Sequence, residues 1–180
     1  METAQKIIRP SNVQQFPLLT IPSQKCIMPL SAEIRQTISE MKDIVIELGA
    51  HAVGLAAVQI GVPRSIFVAR MNNGELKEFI NPEILYRSNE RKKKVEGCLS
   101  LPGLEVRVKR PKRITLKYYD IYGTECTKEF VGMEARIIGH EMDHCLGITI
   151  QNHLEKQVEK HFEIQAAERK RKNKKKRKRR

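Results

Sequence analysis

His140-Glu141-Met142-Asp143-His144 is the stretch of sequence around which the fold is organised. Two histidines four residues apart lie one above the other on the same face of a helix, so both imidazoles can bind one metal ion. Glu141 lies about 100° around the helix from His140, close enough to reach a water on the metal without becoming a ligand. This arrangement is typical of enzymes that hydrolyse an amide-like bond.

The residues around this motif predict a helix from Met133 to Leu146, with Gly132 before it and Gly147 ending it. Ile137 stands three residues before His140, so the metal-facing stripe continues into an apolar residue that can line a substrate pocket. The alternative interpretation is an ordinary surface helix with two unrelated histidines.

The rest of the chain predicts an α+β fold, with short antiparallel or mixed sheets packed around this central helix and a C-terminal helix. Four prolines in residues 1–30 predict an extended arm without helix. A first helix is expected between Ser31 and Gly49, β-rich segments from Val53 to Arg136, and a third helix from Leu154 to about Lys170. Three strand segments are clearest, at residues 65–69, 105–108 and 113–118.

The net charge of +13 comes from the end of the chain. Arg169–Arg180 holds 11 of the 34 basic residues, and the other 23 nearly balance the 21 acidic ones. We therefore expect a catalytic domain over residues 1–168 and a basic, disordered tail over residues 169–180. Four dispersed cysteines and no long apolar run predict a cytoplasmic protein without a membrane span.

Two histidines leave a catalytic metal one protein ligand short, because such sites normally have three protein ligands and one open position. Cys98 is a plausible third ligand, since it stands in a segment whose glycines and proline restrict the backbone. Cys26, Cys126, Cys145 and His153 stay possible on spacing alone. A lone cysteine is also often just a small buried residue.

Three motifs in this order resemble the peptide deformylase family: Gly54-Leu55-Ala56-Ala57-Val58-Gln59, Glu96-Gly97-Cys98-Leu99-Ser100 and His140-Glu141-Met142-Asp143-His144. The resemblance covers residues from about Phe16 to Leu154. It implies an enzyme that removes the N-formyl group from the N-terminal methionine of new polypeptides and releases formate.

The resemblance also implies a role for each matching residue. Cys98, His140 and His144 would bind one divalent metal ion, with Fe²⁺ in the active form and Zn²⁺, Ni²⁺ or Co²⁺ as substitutes. Glu141 would be the general base and then the general acid. The Gln59 amide and the Leu99 backbone N–H would stabilise the oxyanion. The substrate would lie against five residues: Val53, Gly54, Leu55, Gly97 and Ile137.

The expected partners are N-formylmethionyl nascent peptides and, through Leu154–Arg180, the ribosome near its exit tunnel. Charge alone specifies only a polyanionic surface, so the ribosome competes with other polyanions as the partner of the tail. No membrane partner is expected.

Three positions depart from the usual family pattern. Ala52 stands where a glycine is usual, and its methyl group would crowd the substrate side if its φ were positive. Gly139 precedes the first histidine, and Cys145 follows the second in place of leucine. Two rival functions stay open on these grounds: a metallopeptidase that uses the same helix, and a catalytically weak ribosome- or RNA-binding protein on this scaffold.

Overall fold

The computed structural model describes residues 3–177, without the side chains of residues 3, 4, 161, 162, 166 and 168–177. Three α-helices are present in this part of the chain: α1 (Ala32–Glu47), α2 (Gly132–Cys145) and α3 (Ile150–Arg177). Seven strands accompany them: β1 (Gly54–Ala56), β2 (Ile66–Arg70), β3 (Leu76–Arg87), β4 (Arg91–Cys98), β5 (Leu101–Pro111), β6 (Arg113–Tyr119) and β7 (Glu125–Val131). Short 3-10 helices occupy Thr3–Lys6, Phe16–Thr20, Gly49–His51 and Ala57–Ile60.

The strands form two antiparallel sheets. The larger has the order β1-β2-β3-β6-β7, and the smaller is the hairpin of β4 and β5. The predicted α+β class is thereby confirmed, with the sheets packed around α2 and a helix at the C-terminal end. All three predicted strand segments lie within or overlap observed strands, whereas the sequence predicted no particular segment for β1, β3, β4 or β7.

The five-stranded sheet is covered on both faces, and β2 shows this most clearly. Phe67 packs on the face that holds α2, in a cluster with the aromatic rings of Phe79, Tyr118 and Phe130. Its neighbour Val68 packs on the other face, against the buried side of α1. Because successive side chains in a strand point to opposite faces, an almost continuously apolar strand serves two cores at once.

The helix predictions hold closely for α1 and α2. Ser31 is the N-cap of α1, and its hydroxyl accepts a hydrogen bond from the Ile34 backbone N–H at 3.4 Å. Gly49 follows the end of α1 with a φ of +58°, as expected for a glycine that terminates a helix. The helix α2 begins and ends one residue earlier than predicted.

The two chain ends differ from the sequence predictions. The N-terminal arm contains the 3-10 helices Thr3–Lys6 and Phe16–Thr20, although the prolines predicted no helix there. Pro17 occupies the first turn of the second one, where a missing N–H has no cost.

The helix α3 starts four residues before Leu154 and continues to Arg177, into the segment predicted to be disordered. Lysine and arginine are good helix formers, which the repulsion argument neglected. The division at residue 168 stays a prediction.

Within residues 3–177, none of the helices combines the length and the apolar character that crossing a membrane requires.

The close contact between the N-terminal arm and the chain that follows α2 gives a test of how tightly these two segments pack. Gly147 has a φ of +71°, and a Cβ there would lie 2.7 Å from the Thr20 backbone oxygen. We expect Gly147→Ala to lower the free energy of unfolding by at least about 2 kcal/mol more than Gly74→Ala, because overpacking adds to the backbone strain. Gly74 is the matched control, since it has a φ of +85° and open space around its Cβ position. Urea unfolding of the two variants measures the difference, and equal losses would contradict the proposed close approach.

Candidate metal centre and its cavity

The side chains of Cys98, His140 and His144 come together at the point where the β4–β5 hairpin meets α2. Their ligand atoms all lie within 4.8 Å of one another. The Cys98 Sγ is 3.3 Å from the His144 Nε2, and the two imidazole centroids are 5.0 Å apart. Among the described residues, this is the one group of three or more potential ligands. Sequence spacing left the third ligand open, and the structure brings Cys98 to the two histidines.

The four competing candidates lie elsewhere. Cys26 and Cys145 are buried in the apolar cores, and Cys126 lies on β7 beside the Thr124 carbonyl. His153 instead bonds to the Asp143 carboxylate, with 2.8 Å between Nε2 and Oδ2.

The donor set fits a divalent transition metal. One thiolate and two imidazoles are ligands that zinc, iron, cobalt and nickel all accept, and one ion with bonds of about 2.0–2.3 Å can join them. Cys98 and Glu96 both hydrogen-bond to His140 and favour its positively charged form. Although burial acts against this, these bonds raise the pKa of His140 to about 10. Groups that favour a proton on His140 also favour a bound cation nearby.

Glu96 holds His140 in place from behind. Its Oε2 lies 3.2 Å from the His140 Nδ1, which leaves the other ring nitrogen to face the metal position. The same carboxylate accepts three hydrogen bonds from the Arg110 guanidinium, at 2.8 to 3.1 Å, and another from Arg136. Burial raises the pKa of Glu96, but hydrogen bonds from His140 and Arg110 outweigh it and lower the pKa to about 2.

Arg110 connects this carboxylate to the rest of α2. Its Nη1 donates to the Gly139 carbonyl and to the Asp143 carboxylate, both at 2.8 Å. Gly139 leaves room for this contact, because a Cβ there would lie 3.2 Å from the Arg110 Cδ. The glycine before the first histidine thus allows the Arg110 side chain to pack closely against α2.

Glu141 lies beside the three ligand residues and is 3% exposed. Burial raises the pKa of the Glu141 carboxyl to about 7, although His140 and Arg110 act in the opposite direction. The carboxylate packs against Gly54, where a Cβ would lie 2.9 Å from the Glu141 Cδ and still closer to its Oε1. Position 54 therefore requires glycine because Glu141 takes the space of a side chain.

Gln59 is also buried, and both ends of its amide are fixed. The Oε1 accepts a hydrogen bond from the Ala56 N–H at 2.9 Å. The Nε2 therefore points the other way, toward the Ser100 Oγ at 3.1 Å and the Cys98 Sγ at 3.6 Å. Ser100 is completely buried, so the amide donor is held next to the ligand cluster by groups that do not exchange with water.

A cavity of about 670 Å³ opens next to these residues. Residues 50–54 line one side, and residues 95–99 and 101–105 line the other. Of the residues predicted to contact substrate, Val53, Gly54, Gly97 and Ile137 line this cavity. Leu55 does not, because its side chain is fully buried in the core on the α1 side.

The other two departures from the family pattern, Ala52 and Cys145, do not distort the site. Ala52 has a φ of −127°, so its methyl group causes no backbone strain. Cys145 is a buried core residue, and burial raises the pKa of its thiol to about 12, which keeps it protonated.

The sequence predictions missed four residues of this site: Glu96, Ser100, Arg110 and Arg136. One signal was available for Arg110. In β5, Val106, Val108 and Arg110 alternate with exposed residues, so an arginine occupies a position that faces the core. A charge in that position requires a buried partner of opposite sign.

Comparisons with known proteins agree on one family. The family model for polypeptide deformylase matches residues 11–160. A curated peptide deformylase from Pseudothermotoga lettingae is 44% identical over 113 residues, which cover 62% of this chain and 65% of that protein. One from Natranaerobius thermophilus is 37% identical over 132 residues, covering 73% and 83%. The crystal structure of peptide deformylase from Thermotoga maritima has a TM-score of 0.73 at 33% identity, covering 81% of this chain and 94% of that one.

The buried charges at Arg110 predict a large effect on stability. We expect Arg110→Met to lower the free energy of unfolding by about 3–5 kcal/mol, because Glu96 and Asp143 would lose their shared cation in a buried place. Lys112→Met is the control, since Lys112 forms an exposed pair with Glu90 and should change stability little. Urea unfolding at neutral pH measures both, and similar small losses would show that Arg110 is not needed to balance the buried acids.

Proposed function

Because this chain belongs to the polypeptide deformylase family, we propose that the cluster around Cys98, His140 and His144 is its catalytic centre. The enzyme is a hydrolase that removes the N-formyl group from newly made polypeptides. The single observation that carries the assignment of the centre is the meeting of these three ligand side chains beside the buried Glu141.

The three ligands would hold one divalent ion, with Fe²⁺ proposed for the active form and Zn²⁺, Ni²⁺ or Co²⁺ as substitutes. The donor set supports the class of metal, while the choice of iron rests on the resemblance to the family. Such an ion would supply Lewis acidity toward the formyl group and would make water a nucleophile at neutral pH.

We assign the proton transfers to Glu141. A carboxyl group with a pKa near 7 can accept a proton from water and later return it to the departing amine. Its position supports this role, since α2 places it next to both histidine ligands and Gly54 leaves it room at the cavity wall.

We assign stabilisation of the oxyanion to the Gln59 amide and to the Leu99 backbone N–H. Hydrogen bonds to Ala56 and Ser100 hold the Gln59 Nε2 next to Cys98, so the donor needs no reorganisation as charge develops. Loss of one such donor typically costs about 2.7–4 kcal/mol in the transition state.

The cavity supports binding of an extended peptide. The strands β1 and β4 both line it, and a peptide between them would use main-chain hydrogen bonds along Gly54 and Gly97. Val53 and Ile137 would contact the first side chain. Leu55 would contribute through its backbone only, because its side chain lies in the core.

We further propose that Leu154–Arg180 binds the ribosome near its exit tunnel, where N-formylmethionyl chains emerge. The support is the concentration of 11 basic residues in the last 12 and the attachment of α3 to the catalytic domain through Gln157 and β5. A cytoplasmic location stays a prediction that rests on the four dispersed cysteines and the absence of a long apolar run. The metallopeptidase alternative has lost its basis, because the family match accounts for all three motifs.

The activity is tested by formate release from formyl-Met-Ala-Ser with anaerobically prepared, iron-loaded protein. We expect Glu141→Gln to lower kcat by about 10²-fold or more while the metal stays bound, because the variant cannot carry the proton. Glu134→Gln, on the same helix but outside the cavity, is the matched control and should keep full activity. Removal of the metal with a chelator should abolish release, and its return should restore it. No release by wild-type protein with one metal per chain would contradict the proposed centre.

The role of the tail is tested by truncation after Glu168. We expect the truncated chain to lose sedimentation with ribosomes while it still hydrolyses formyl-Met-Ala-Ser, because the tail is far along the chain from the ligand residues. A chain with residues 169–180 in scrambled order is the control and should still bind, since charge density drives the association. Binding that survives truncation, or that does not weaken in salt, would contradict the proposal.

A further inference from the structure

The cavity continues along β4, away from the ligand cluster. Residues 95–98 of this strand line it, and Cys98 stands at the metal-binding end. In the described part of the chain, β4 pairs with β5 alone and β1 with β2 alone, so each has a second edge without a strand. A peptide that enters the cavity therefore meets two strand edges and can follow β4 outward.

The next residues outward along β4 are all basic. Val95 is followed, in the direction away from Cys98, by Lys94, Lys93, Lys92 and Arg91, and every one of them is exposed. Strand residues advance by about 3.3 Å each. A peptide extended beside β4, with its formyl group at Cys98, would place its fourth to seventh residues opposite Arg91–Lys94.

The partner strand strengthens this positive charge. Lys109 lies directly opposite Lys93, and Arg107 lies opposite Val95, both exposed. Like charges directly across a pair of strands are destabilising. No acidic side chain among the described residues forms an ion pair with Lys93, Lys109 or Arg107, whereas the neighbouring Lys112 is paired with Glu90.

The charges at the cavity rim are consistent with this distribution. Arg9 and His51 also line the cavity, and Glu105 is the one exposed carboxylate among the lining residues. Glu96 also lines the cavity, but it is buried and bound to two arginines. The outer end of the groove is therefore positively charged.

We propose that Arg91–Lys94 with Arg107 and Lys109, the cationic hairpin, selects nascent chains that carry carboxylates about four to seven residues from the formyl-methionine. This inference rests on the proposed function, because it extends the peptide groove of the same centre. The hairpin acts on binding of the peptide and takes no part in the chemical step.

A peptide fits this surface better than RNA does. The cations continue a groove that already accommodates an extended chain, and they lie in the register of a strand. Aromatic side chains on which bases could stack are absent from Arg91–Cys98 and Leu101–Pro111. RNA binding would not require the cations to continue the groove that leads to the cavity, whereas binding of a peptide substrate does.

The test uses full-length, metal-loaded enzyme and three formylated peptides, formyl-Met-Ala-Ser-Gly-X-X-Gly, in which X is Glu, Gln or Lys. At low salt we expect kcat/KM for the Glu peptide to exceed that for the Gln peptide about fivefold, entirely through KM. The Lys peptide should be disfavoured by a similar factor. Both differences should vanish at about 0.5 M salt, since screening shortens the reach of exposed charges.

Two variants locate the effect. Lys93→Glu with Lys109→Glu lowers the net charge of the cationic hairpin from +6 to +2 and should remove most of the preference for the Glu peptide. The milder Lys93→Gln with Lys109→Gln leaves +4 and should weaken the preference by a smaller factor. Lys25→Glu with Lys128→Glu makes the same change in net charge at two exposed positions outside the hairpin, and it should keep the wild-type order. All variants keep the basic tail, so any difference between them belongs to the hairpin. Circular dichroism confirms that each has folded.

Equal kcat/KM for the three peptides in wild-type enzyme would overturn the proposal, and so would a preference of undiminished size in the Lys93→Glu with Lys109→Glu variant. A short RNA duplex that binds wild-type protein but not this variant, together with no peptide preference, would assign the surface to RNA instead. Hydrolysis of formyl-Met-Ala-Ser by wild-type enzyme separates these failures from failure of the proposed function, because that peptide ends before the hairpin.

Discussion

The buried carboxylate of Glu96 is the interaction on which the centre depends. It binds His140 on α2, Arg110 on β5 and Arg136 on α2, while its own strand ends two residues later at Cys98. One side chain thus ties the thiol-bearing hairpin to the histidine-bearing helix. Because an unpaired charge in such a place costs several kcal/mol, the hairpin and the helix can be buried together only when these partners meet. The positions of Cys98 and His140 follow from that requirement.

Two neighbouring buried acids have pKa values that are shifted in opposite directions. Glu96 has cationic partners, and its pKa falls to about 2. Among the described residues, no group forms a hydrogen bond with the Glu141 Oε2, and burial raises the pKa of this carboxyl to about 7. One carboxyl is therefore held ionised as a support, and the other is left able to exchange a proton near neutral pH. Gly54 is part of this difference, since it admits the Glu141 carboxylate without offering a side chain to bind it.

Sequence patterns predicted the parts of this structure that depend on local order. The period of the apolar residues and the caps at Ser31 and Gly49 located α1. The three motifs contain the candidate ligands and Gln59, which the structure brings close together. What they could not predict depends on contacts between distant residues. The pairing of Arg110 with Glu96 joins neighbouring strands through side chains, and nothing local marks Ser100 as the partner of Gln59. Leu55 shows the reverse error, because a residue next to a functional glycine in sequence points away from the site in a strand.

Charge in this protein is separated by burial rather than by sequence position. Near the candidate ligands, the buried Glu96 and the largely buried Asp143 are paired with Arg110 and Arg136, and these charges cancel locally. The cations of the hairpin are exposed and outnumber the nearby acids, so they create a field in the solvent. A basic residue can therefore have opposite consequences along one strand: in β5, Arg110 faces inward and stabilises the centre, while Lys109, its neighbour in sequence, faces the solvent. Because the pleat of the strand sends alternate side chains to opposite faces, one short hairpin can support a candidate metal ligand on one side and present positive charge to the solvent on the other.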